Sequence, residues 1–317
     1  MDVRKPPAIL GCKMGELLGE GVMGTVYAAT DASGRALAVK FLREWLADDA
    51  EALARFGREA ENCRRIRSDY VACVVGAGIT GAMYWIAYER VAGETLAVRL
   101  RREQVLARAA SLRIVEQVLL GLQAAHAVGV VHRDVKPANI VLADRAGEER
   151  ACILDFGTSK FRGPEESGSG DNALTSATAT LGTINYMPPE QIGGAARVDA
   201  RADVYAVGVV AFRALSGQLP FVGESQAAVM QAKLEAKART LAQATGTAWP
   251  SAAEAFFRRA LARDPAERFA DAEGARRAWL DTFATAKLPD VDDLRPGGGN
   301  AQENGEDTVP GDRTERG

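Results

Sequence analysis

The chain has 317 residues, 47% of them hydrophobic and 26% charged, which is enough to bury a sizeable core in about two domains or lobes. Its net charge of −3 gives no reason to expect a nucleic acid or an anionic membrane as a partner. The four cysteines form no C-x-x-C pair and there are only two histidines, so we expect reduced thiols in the cytoplasm rather than disulfides or a zinc site.

The hydropathy of the chain shows no targeting or membrane segment. Residues 1–7 are polar and carry mixed charge, unlike a signal peptide. No run reaches the roughly eighteen apolar residues that a membrane-spanning helix needs. We therefore expect no membrane segment in this chain.

The first motif is a Gly-x-Gly-x-x-Gly pattern formed by Gly19, Gly21 and Gly24. Glycines here remove side chains, so that the backbone can close over phosphate groups. A dinucleotide-binding turn is the alternative, but it needs a helix directly after the glycines and an acidic residue about 20 positions later. Instead, residues 25–27 are β-prone and Lys40 follows sixteen residues after Gly24. The pattern therefore predicts a hairpin over a nucleotide.

The next elements predict a small, mostly antiparallel sheet with one main helix. Lys40 is flanked by apolar residues in a strand pattern, where a lysine normally points to solvent. Residues 50–66 repeat apolar side chains at three- and four-residue steps, which predicts an amphipathic helix. Two further strands are predicted at 71–80 and 83–88, joined by a Gly-Ala turn.

Residues 109–128 predict a long amphipathic helix that leads into the densest group of polar residues. Between two apolar patches stand Asp134, Lys136 and Asn139, and a second carboxylate, Asp155, follows within Asp-Phe-Gly. Short strands at 140–142 and 151–154 form a hairpin that brings Asn139 and Asp155 together from positions sixteen apart.

These residue types suit phosphoryl transfer. Asp134 can orient an acceptor hydroxyl and take its proton, and Lys136 can stabilise charge on the transferred group. The carboxylate of Asp155 and the amide oxygen of Asn139 are ligands of the kind that magnesium prefers. We therefore expect a magnesium-dependent phosphoryl-transfer site.

The ordered combination resembles the catalytic and magnesium-binding loops of the eukaryotic-like (Hanks-type) Ser/Thr protein kinases of bacteria: His-Arg-Asp at 132–134, Asn139, then Asp-Phe-Gly at 155–157. The resemblance implies an α+β, bilobal fold, with a small β-rich N-lobe (12–90) and a larger, mainly helical C-lobe (91–283). Residues 1–11 then form an N-terminal extension. Residues 284–317, rich in glycine and acidic residues, are predicted to form a disordered tail.

The resemblance also implies how ATP is held. Lys40 grips the α- and β-phosphates and pairs with Glu59 of the predicted helix; Glu61 lies about 200° further round, so it does not face the same lysine. The backbone of residues 89–91 forms a hinge that binds adenine, and Tyr88 limits the back of the pocket. The implied cofactors are ATP and Mg²⁺, with Mn²⁺ as a substitute. The implied ATP-binding residues are Gly19, Glu20, Gly21, Gly24, Val26, Ala38, Lys40, Glu89, Val91, Asn139 and Asp155.

Four hydroxyl residues precede the predicted substrate-docking segment and are candidate phosphosites of an activation loop: Thr175, Ser176, Thr178 and Thr180. A phosphate on Thr175 or Thr178 would pair with Arg133, which adjoins Asp134, and would order the loop. By resemblance, Lys136 together with Thr183 is a signature of Ser/Thr specificity.

Other residues are expected to support the site rather than to react. His126 is expected to be a packed or capping histidine, and His132 to brace the catalytic loop. Asp203 is expected to cap a buried helix and, by resemblance, to accept hydrogen bonds from the catalytic-loop backbone. Arg268 matches the family arginine that pairs with Glu190, which extends the resemblance through the C-lobe.

The predicted function is that of an active Ser/Thr protein kinase that acts on protein substrates and autophosphorylates its activation loop, with room for a transient homodimer in that reaction. A catalytically silent kinase-like scaffold or ATP-binding regulator is the alternative, but it predicts a lesion in Lys40, Asp134, Asn139 or Asp155, and all four are intact. A small-molecule kinase is disfavoured because residues 182–190 match a peptide-docking segment that such enzymes lack.

Overall fold

The structure is a computed structural model. It describes residues 7–21, 24–145, 147–156, 181–194, 198–235, 237–284, 286–289 and 294.

The N-terminal half of the described chain is built on an antiparallel five-stranded sheet in the order β1-β2-β3-β5-β4. Its strands are β1 (Cys12–Glu20), β2 (Gly24–Asp31), β3 (Ala36–Leu42), β4 (Val74–Thr80) and β5 (Met83–Glu89). Successive side chains of β3 and its neighbours point alternately to the two faces of the sheet. Tyr27, Val39, Phe41 and Ala87 point to the same face, the outer face, and belong to a small apolar cluster there. Lys40 stands between Val39 and Phe41 in β3, so it points to the opposite, inner face.

The predicted strand at 71–80 is shorter than expected: it begins at Val74, and Val71 and Ala72 pair outside the sheet. Val71 forms an isolated parallel bridge with Ile153, and the N–H of Ala72 donates to the Ile153 carbonyl at 2.9 Å. The Ala72 N–H and the Tyr70 carbonyl are thus satisfied by Ile153 of the second half of the chain, whereas the Cys73 carbonyl accepts from Glu89 of β5. These hydrogen bonds connect the backbones of the two halves directly.

Helix α1 (Ala50–Arg65) is the main helix of this half and agrees with the predicted 50–66 to one residue. It begins because the Asp49 side chain accepts hydrogen bonds from the N–H groups of residues 51 and 52. Its apolar stripe buries Phe56, Ala60 and Cys63, and the same face buries Glu59. Burial of a carboxylate among apolar side chains requires partners, which β3 and β5 supply.

A second, three-stranded sheet and several helices form the C-terminal half. The strands are β6 (Gly93–Thr95), β7 (Ile140–Arg145) and β8 (Glu148–Ile153), in the order β6-β7-β8. The helices are α2 (Leu96–Glu103), α3 (Arg108–Ala127), α4 (Leu181–Tyr186), α5 (Pro189–Ile192), α6 (Arg201–Ser216), α7 (Gln226–Glu235), α8 (Leu241–Thr245), α9 (Ser251–Ala260) and α10 (Ala272–Phe283). In the described part of the chain, no helix is long and apolar enough to cross a bilayer.

Helix α6 is buried along almost its whole length, as its nearly continuous apolar sequence predicts. The prediction that Asp203 caps this helix is wrong. The N-cap is Ala200, without a side-chain hydrogen bond, while Asp199 accepts from the N–H of Arg201 at 2.9 Å. Asp203 lies inside the first turn, and its carboxylate points away from the helix start to the catalytic loop.

The predicted α+β architecture, with a small antiparallel β half and a larger helical half, is confirmed. The domain limits at residues 12 and 283 stay a prediction.

Candidate active site

Lys40 lies at the centre of the candidate site. Its ammonium is 2.8 and 3.0 Å from the two oxygens of Glu59 and 3.5 Å from Asp155 Oδ1. Burial opposes the charge of Lys40, but the carboxylates of Asp155 and Glu59 outweigh it and raise its pKa above the ordinary value. One cation thus joins β3, α1 and the loop after β8. Glu61 is exposed, so of these two glutamates it is Glu59 that contacts Lys40.

The inner face of the N-terminal sheet carries several of the residues implied to hold ATP. Val26 pairs directly with Lys40 across β2 and β3, and Ala38 pairs with Tyr88 across β3 and β5. Directly paired residues point to the same face, so these four side chains line one surface. The Tyr88 hydroxyl donates a hydrogen bond to Glu59 Oε1 on that surface.

The three glycines of the motif, at the end of β1, in the turn and at the start of β2, differ in their surroundings. A Cβ on Gly24 would lie 2.3 Å from the Phe41 carbonyl oxygen, so this glycine permits close packing of β2 on β3. A Cβ on Gly19 would meet no described atom within 4 Å. Gly21 is fixed by Arg43, whose Nε and guanidinium nitrogen lie 3.1 and 3.0 Å from its carbonyl oxygen. The contact of Arg43 with Gly21 was not predicted from the sequence. It follows from the β2–β3 register, because Gly24 pairs with Leu42 and Arg43 is the next residue.

The catalytic-loop residues form a second connected group. Lys136 Nζ is 3.0 Å from Asp134 Oδ2 and 2.9 Å from the Thr183 hydroxyl. The amide nitrogen of Asn139 donates to the Asp134 carbonyl at 2.8 Å and to its Oδ2 at 3.2 Å. The structure therefore brings Asp134, Lys136, Asn139 and Thr183 together.

Hydrogen bonds around His132 fix the loop that carries Asp134. The N–H of Asp134 donates to His132 Nδ1 at 3.2 Å, so the proton of a neutral ring stands on Nε2, 2.8 Å from the Leu154 carbonyl. The ring packs edge-on against Phe156, at 4.6 Å between centroids. The expected bracing contacts of His132 are present.

Asp203 joins the same loop to α6. It accepts from the N–H groups of His132 at 2.9 Å and Arg133 at 2.7 Å. His126 Nε2 lies 2.8 Å from the same carboxylate, so this histidine packs against Asp203. A buried carboxylate is satisfied here by donors from two segments, which holds the loop on the helix.

Arg268 and Glu190 form the expected long-range pair. The guanidinium of Arg268 contacts both Glu190 oxygens, at 2.8 and 2.7 Å. It also donates to three backbone carbonyls, those of Arg201, Ala262 and Arg263. All three nitrogens of the planar Arg268 guanidinium therefore donate hydrogen bonds.

The backbone of residues 89–91, the predicted hinge, is only partly hydrogen-bonded. The N–H of Glu89 donates to the Cys73 carbonyl at 2.9 Å, and that of Arg90 to Ala36 at 3.1 Å. Among the described residues, the N–H of Val91 has no backbone partner. Val91 thus offers a donor at the edge of the site.

Asn139 and Asp155 provide a donor set that fits a divalent metal ion. Both hydrogen bonds of Asn139 use its amide nitrogen, which leaves its oxygen as an acceptor. Asp155 follows β8 and Asn139 precedes β7, and the N–H of Leu154 donates to the Asn139 carbonyl at 2.8 Å, so the two lie at the same end of the hairpin. One amide oxygen and one carboxylate are the hard ligands that such ions prefer.

The four predicted phosphosites, Thr175, Ser176, Thr178 and Thr180, lie outside the described residues, as does Gly157 of Asp-Phe-Gly. Arg133, their predicted partner, donates to the Val198 carbonyl at 3.2 Å.

A buried lysine that was not predicted from the sequence, Lys233, contacts the segment after Thr183. Its Nζ donates to the carbonyls of Asn185 and Met187 at 2.6 and 2.9 Å.

Comparison with known proteins agrees with this arrangement. The family model of the protein kinase domain matches residues 12–280. Serine/threonine-protein kinase pkn3 of Myxococcus xanthus is 38% identical over 262 residues, which cover 81% of this chain and 47% of that protein. Probable serine/threonine-protein kinase PknB of Corynebacterium glutamicum is 34% identical over 298 residues, which cover 87% of this chain and 45% of that protein.

A solved structure is also similar. The crystal structure of the Mycobacterium tuberculosis PknI kinase domain superimposes with a TM-score of 0.66 and 28% identity, covering 87% of this chain and 98% of that one. The chain spans less than half the length of the two kinases named above. The match over residues 12–280 shows that the chain belongs to the protein kinase family, among the Hanks-type serine/threonine kinases of bacteria.

Proposed function

We propose that this chain is the catalytic domain of an ATP-dependent Ser/Thr protein kinase, which transfers the γ-phosphoryl group of ATP to Ser or Thr hydroxyls of protein substrates. The observation that carries the proposal is the contact of Lys40 with both Glu59 and Asp155, at 2.8 and 3.5 Å. It joins the sheet, the main helix and the metal-binding loop at one cation. A silent scaffold does not require this convergence.

In the proposed reaction, Asp134 orients the acceptor hydroxyl and takes its proton. Lys136, which contacts both Asp134 and Thr183, stabilises charge on the transferred group. Lys40 holds the α- and β-phosphates under the glycine loop, and the backbone of residues 89–91 binds adenine. Catalysis of this kind depends mainly on positioning and electrostatics.

The family implies use of ATP with a divalent metal ion, and we propose that this ion is Mg²⁺, with Mn²⁺ as a substitute. Asn139 and Asp155 would hold it. The ion supplies neutralisation of charge on the phosphate oxygens when it is bound. The proposal is supported by the oxygen-only donor set, because soft or nitrogen ligands would favour other metals.

The test is transfer of label from γ-labelled ATP to a protein substrate, with magnesium or manganese, by the parent chain and by Asp134→Asn. Loss of the base predicts a fall in kcat of about 10²- to 10⁴-fold. Asp281→Asn, an exposed change on α10, is the matched control and should retain the parent rate. A folded parent that transfers no label would favour the scaffold, and label that survives Asp134→Asn would reveal a contaminating kinase.

We further propose autophosphorylation at Thr175, Ser176, Thr178 or Thr180, in a transient homodimer. Because the reaction between two copies is bimolecular, its initial rate should rise with the square of protein concentration. Mapping of phosphosites in the parent, beside a variant with alanine at all four positions, checks the assignment. A four-alanine variant that acts on substrates as fast as the parent would contradict a role in activation.

A further inference from the structure

Tyr88 makes a contact that the phosphoryl-transfer mechanism does not require. Its hydroxyl donates to Glu59 Oε1, the same oxygen that lies 2.8 Å from Lys40 Nζ. Glu59 is therefore held from two strands, by the ammonium of β3 and by the phenol of β5. We propose that the Tyr88 hydroxyl is a positioning group, which keeps Glu59 and α1 in the orientation that pairs Glu59 with Lys40. The proposal rests on the proposed kinase activity.

Burial makes this hydrogen bond significant. Tyr88 is 7% exposed and Glu59 2% exposed, so neither group can exchange its partner for water without local opening. Burial, together with the charge of Glu59, raises the pKa of Tyr88 well above its ordinary value. The phenol therefore remains protonated and serves as a donor. Hydrogen bonds to a charged acceptor are stronger than those between neutral groups.

The register of the sheet places the two donors that hold Glu59 on neighbouring strands. Lys40 pairs with Ile86, and Ala38 pairs with Tyr88, so the ammonium and the phenol are diagonal neighbours on the inner face. They approach the carboxylate of Glu59 from two adjacent strands, β3 and β5. Lys40 contacts both oxygens of Glu59, and the phenol adds a second donor at Oε1 from another strand, so a shift of Glu59 away from the sheet must break the bonds to both strands.

Asp155 supplies the competing state. Its carboxylate lies 3.5 Å from Lys40, so the lysine has a second acid to pair with if Glu59 moves away. Two states are therefore compared in this proposal, one in which Lys40 pairs with both acids and one in which it pairs with Asp155 alone. The Tyr88 hydroxyl contacts only Glu59 of the two, and so it favours the first state.

The decisive variant is Tyr88→Phe, which keeps the ring in the core and removes the hydroxyl. The matched control is Tyr84→Phe, which removes a phenol from the same strand, where Tyr84 packs partly buried against the main core. We expect Tyr88→Phe to lower kcat/KM for ATP about tenfold, as loss of a hydrogen bond to a charged group predicts. Tyr84→Phe should leave it near the parent value.

A double-mutant cycle separates positioning from packing. If Tyr88 acts through Glu59, Tyr88→Phe should cause no further loss of activity in a Glu59→Ala background. An equal loss in both backgrounds would overturn the proposal, because the hydroxyl would then act elsewhere. So would a Tyr88→Phe enzyme with the parent kcat/KM, or a Tyr84→Phe enzyme with the same defect.

Amide hydrogen exchange of α1 gives a readout that needs no activity. Tyr88→Phe should speed exchange of residues 50–65 relative to both the parent and Tyr84→Phe, with little change in α6. Unchanged exchange in α1 would overturn the positioning role even if the protein is an active kinase. Conversely, a parent that transfers no label would refute the proposed function, and the α1 exchange would still decide whether Tyr88 positions Glu59.

Discussion

Arg133 and Asp155 are non-glycine residues with positive φ, 65° and 56°, and both belong to the proposed active site. This region costs an L-residue about 1–2 kcal/mol, so neighbouring contacts must hold it. For Arg133, the N–H donates to Asp203 at 2.7 Å and the carbonyl accepts from Gln191 at 2.9 Å. The backbone is thus bent beside Asp134 by partners from other elements. Strain at such positions is typical of functional sites.

Single glycines of the loop should differ in what they contribute. In Gly24→Ala, the new Cβ would lie 2.3 Å from the Phe41 carbonyl, so β2 and β3 must separate. We expect a loss of about 1–3 kcal/mol in the free energy of unfolding, measured by denaturant titration. In Gly19→Ala, the matched control, the new Cβ would meet no atom of the described residues within 4 Å. Its stability should match the parent, and its effect should be confined to KM for ATP. Equal stability of both variants would contradict this division.

At the scale of elements, Lys233 connects α7 to the end of α4. It is 1% exposed, and it lies over the rings of Tyr205 and Phe221, at 5.1 and 5.3 Å from their centroids. Burial, with a smaller effect of the Arg268 charge, lowers the pKa of Lys233 to about 7. A neutral amine still has two N–H donors for the two carbonyls that it contacts.

This lysine predicts a pH-dependent stability. Between the folded pKa of about 7 and the ordinary value of 10.5, the unfolded chain binds more protons at Lys233 than the folded protein does. The free energy of unfolding should therefore rise with pH across that window, while below it the full cost of the buried charge is present. Urea titrations from pH 6 to pH 10 should show this rise in the parent relative to Lys233→Met. Lys237→Met, at an exposed lysine, should behave like the parent, and parallel curves for Lys233→Met would contradict the prediction.

Residue order and spacing predicted which elements form and which polar groups belong to the site, because each motif is local. Helix α1 was predicted to within one residue, and helix geometry allowed only one of Glu59 and Glu61 to face Lys40, while the choice of Glu59 came from the family resemblance. Contacts that depend on the packing of distant elements were not predicted from spacing: those of Asp203 with the catalytic loop and of Arg268 with Glu190 were expected only from the family resemblance. Tyr88 and Glu59 are 29 residues apart, and no periodicity sets the distance between their side chains. The same holds for the bridge of Val71 to Ile153.

At the scale of the whole molecule, the described core consists of two clusters of unequal size. The larger one runs from Phe56 in the N-terminal half to Phe283 in α10 without interruption, and it includes Tyr88. The smaller one covers only the outer face of the N-terminal sheet, around Phe41. The site lies on the inner side of this sheet, so the residues of the site are supported by the larger cluster.

The two clusters should respond differently to loss of one ring. Phe41 and Phe257 are 1% and 2% exposed, so alanine at either position should cost about 3–5 kcal/mol in the free energy of unfolding. Because Phe41 packs only in the smaller cluster, Phe41→Ala should speed amide exchange in β1 to β3 and leave the slowest amides of α6 less affected. Phe257 packs against Phe212 of α6 at 5.3 Å between centroids, so Phe257→Ala should speed exchange in α6 directly. Equal acceleration of α6 in both variants would mean that the sheet and the helices open as a single cooperative unit.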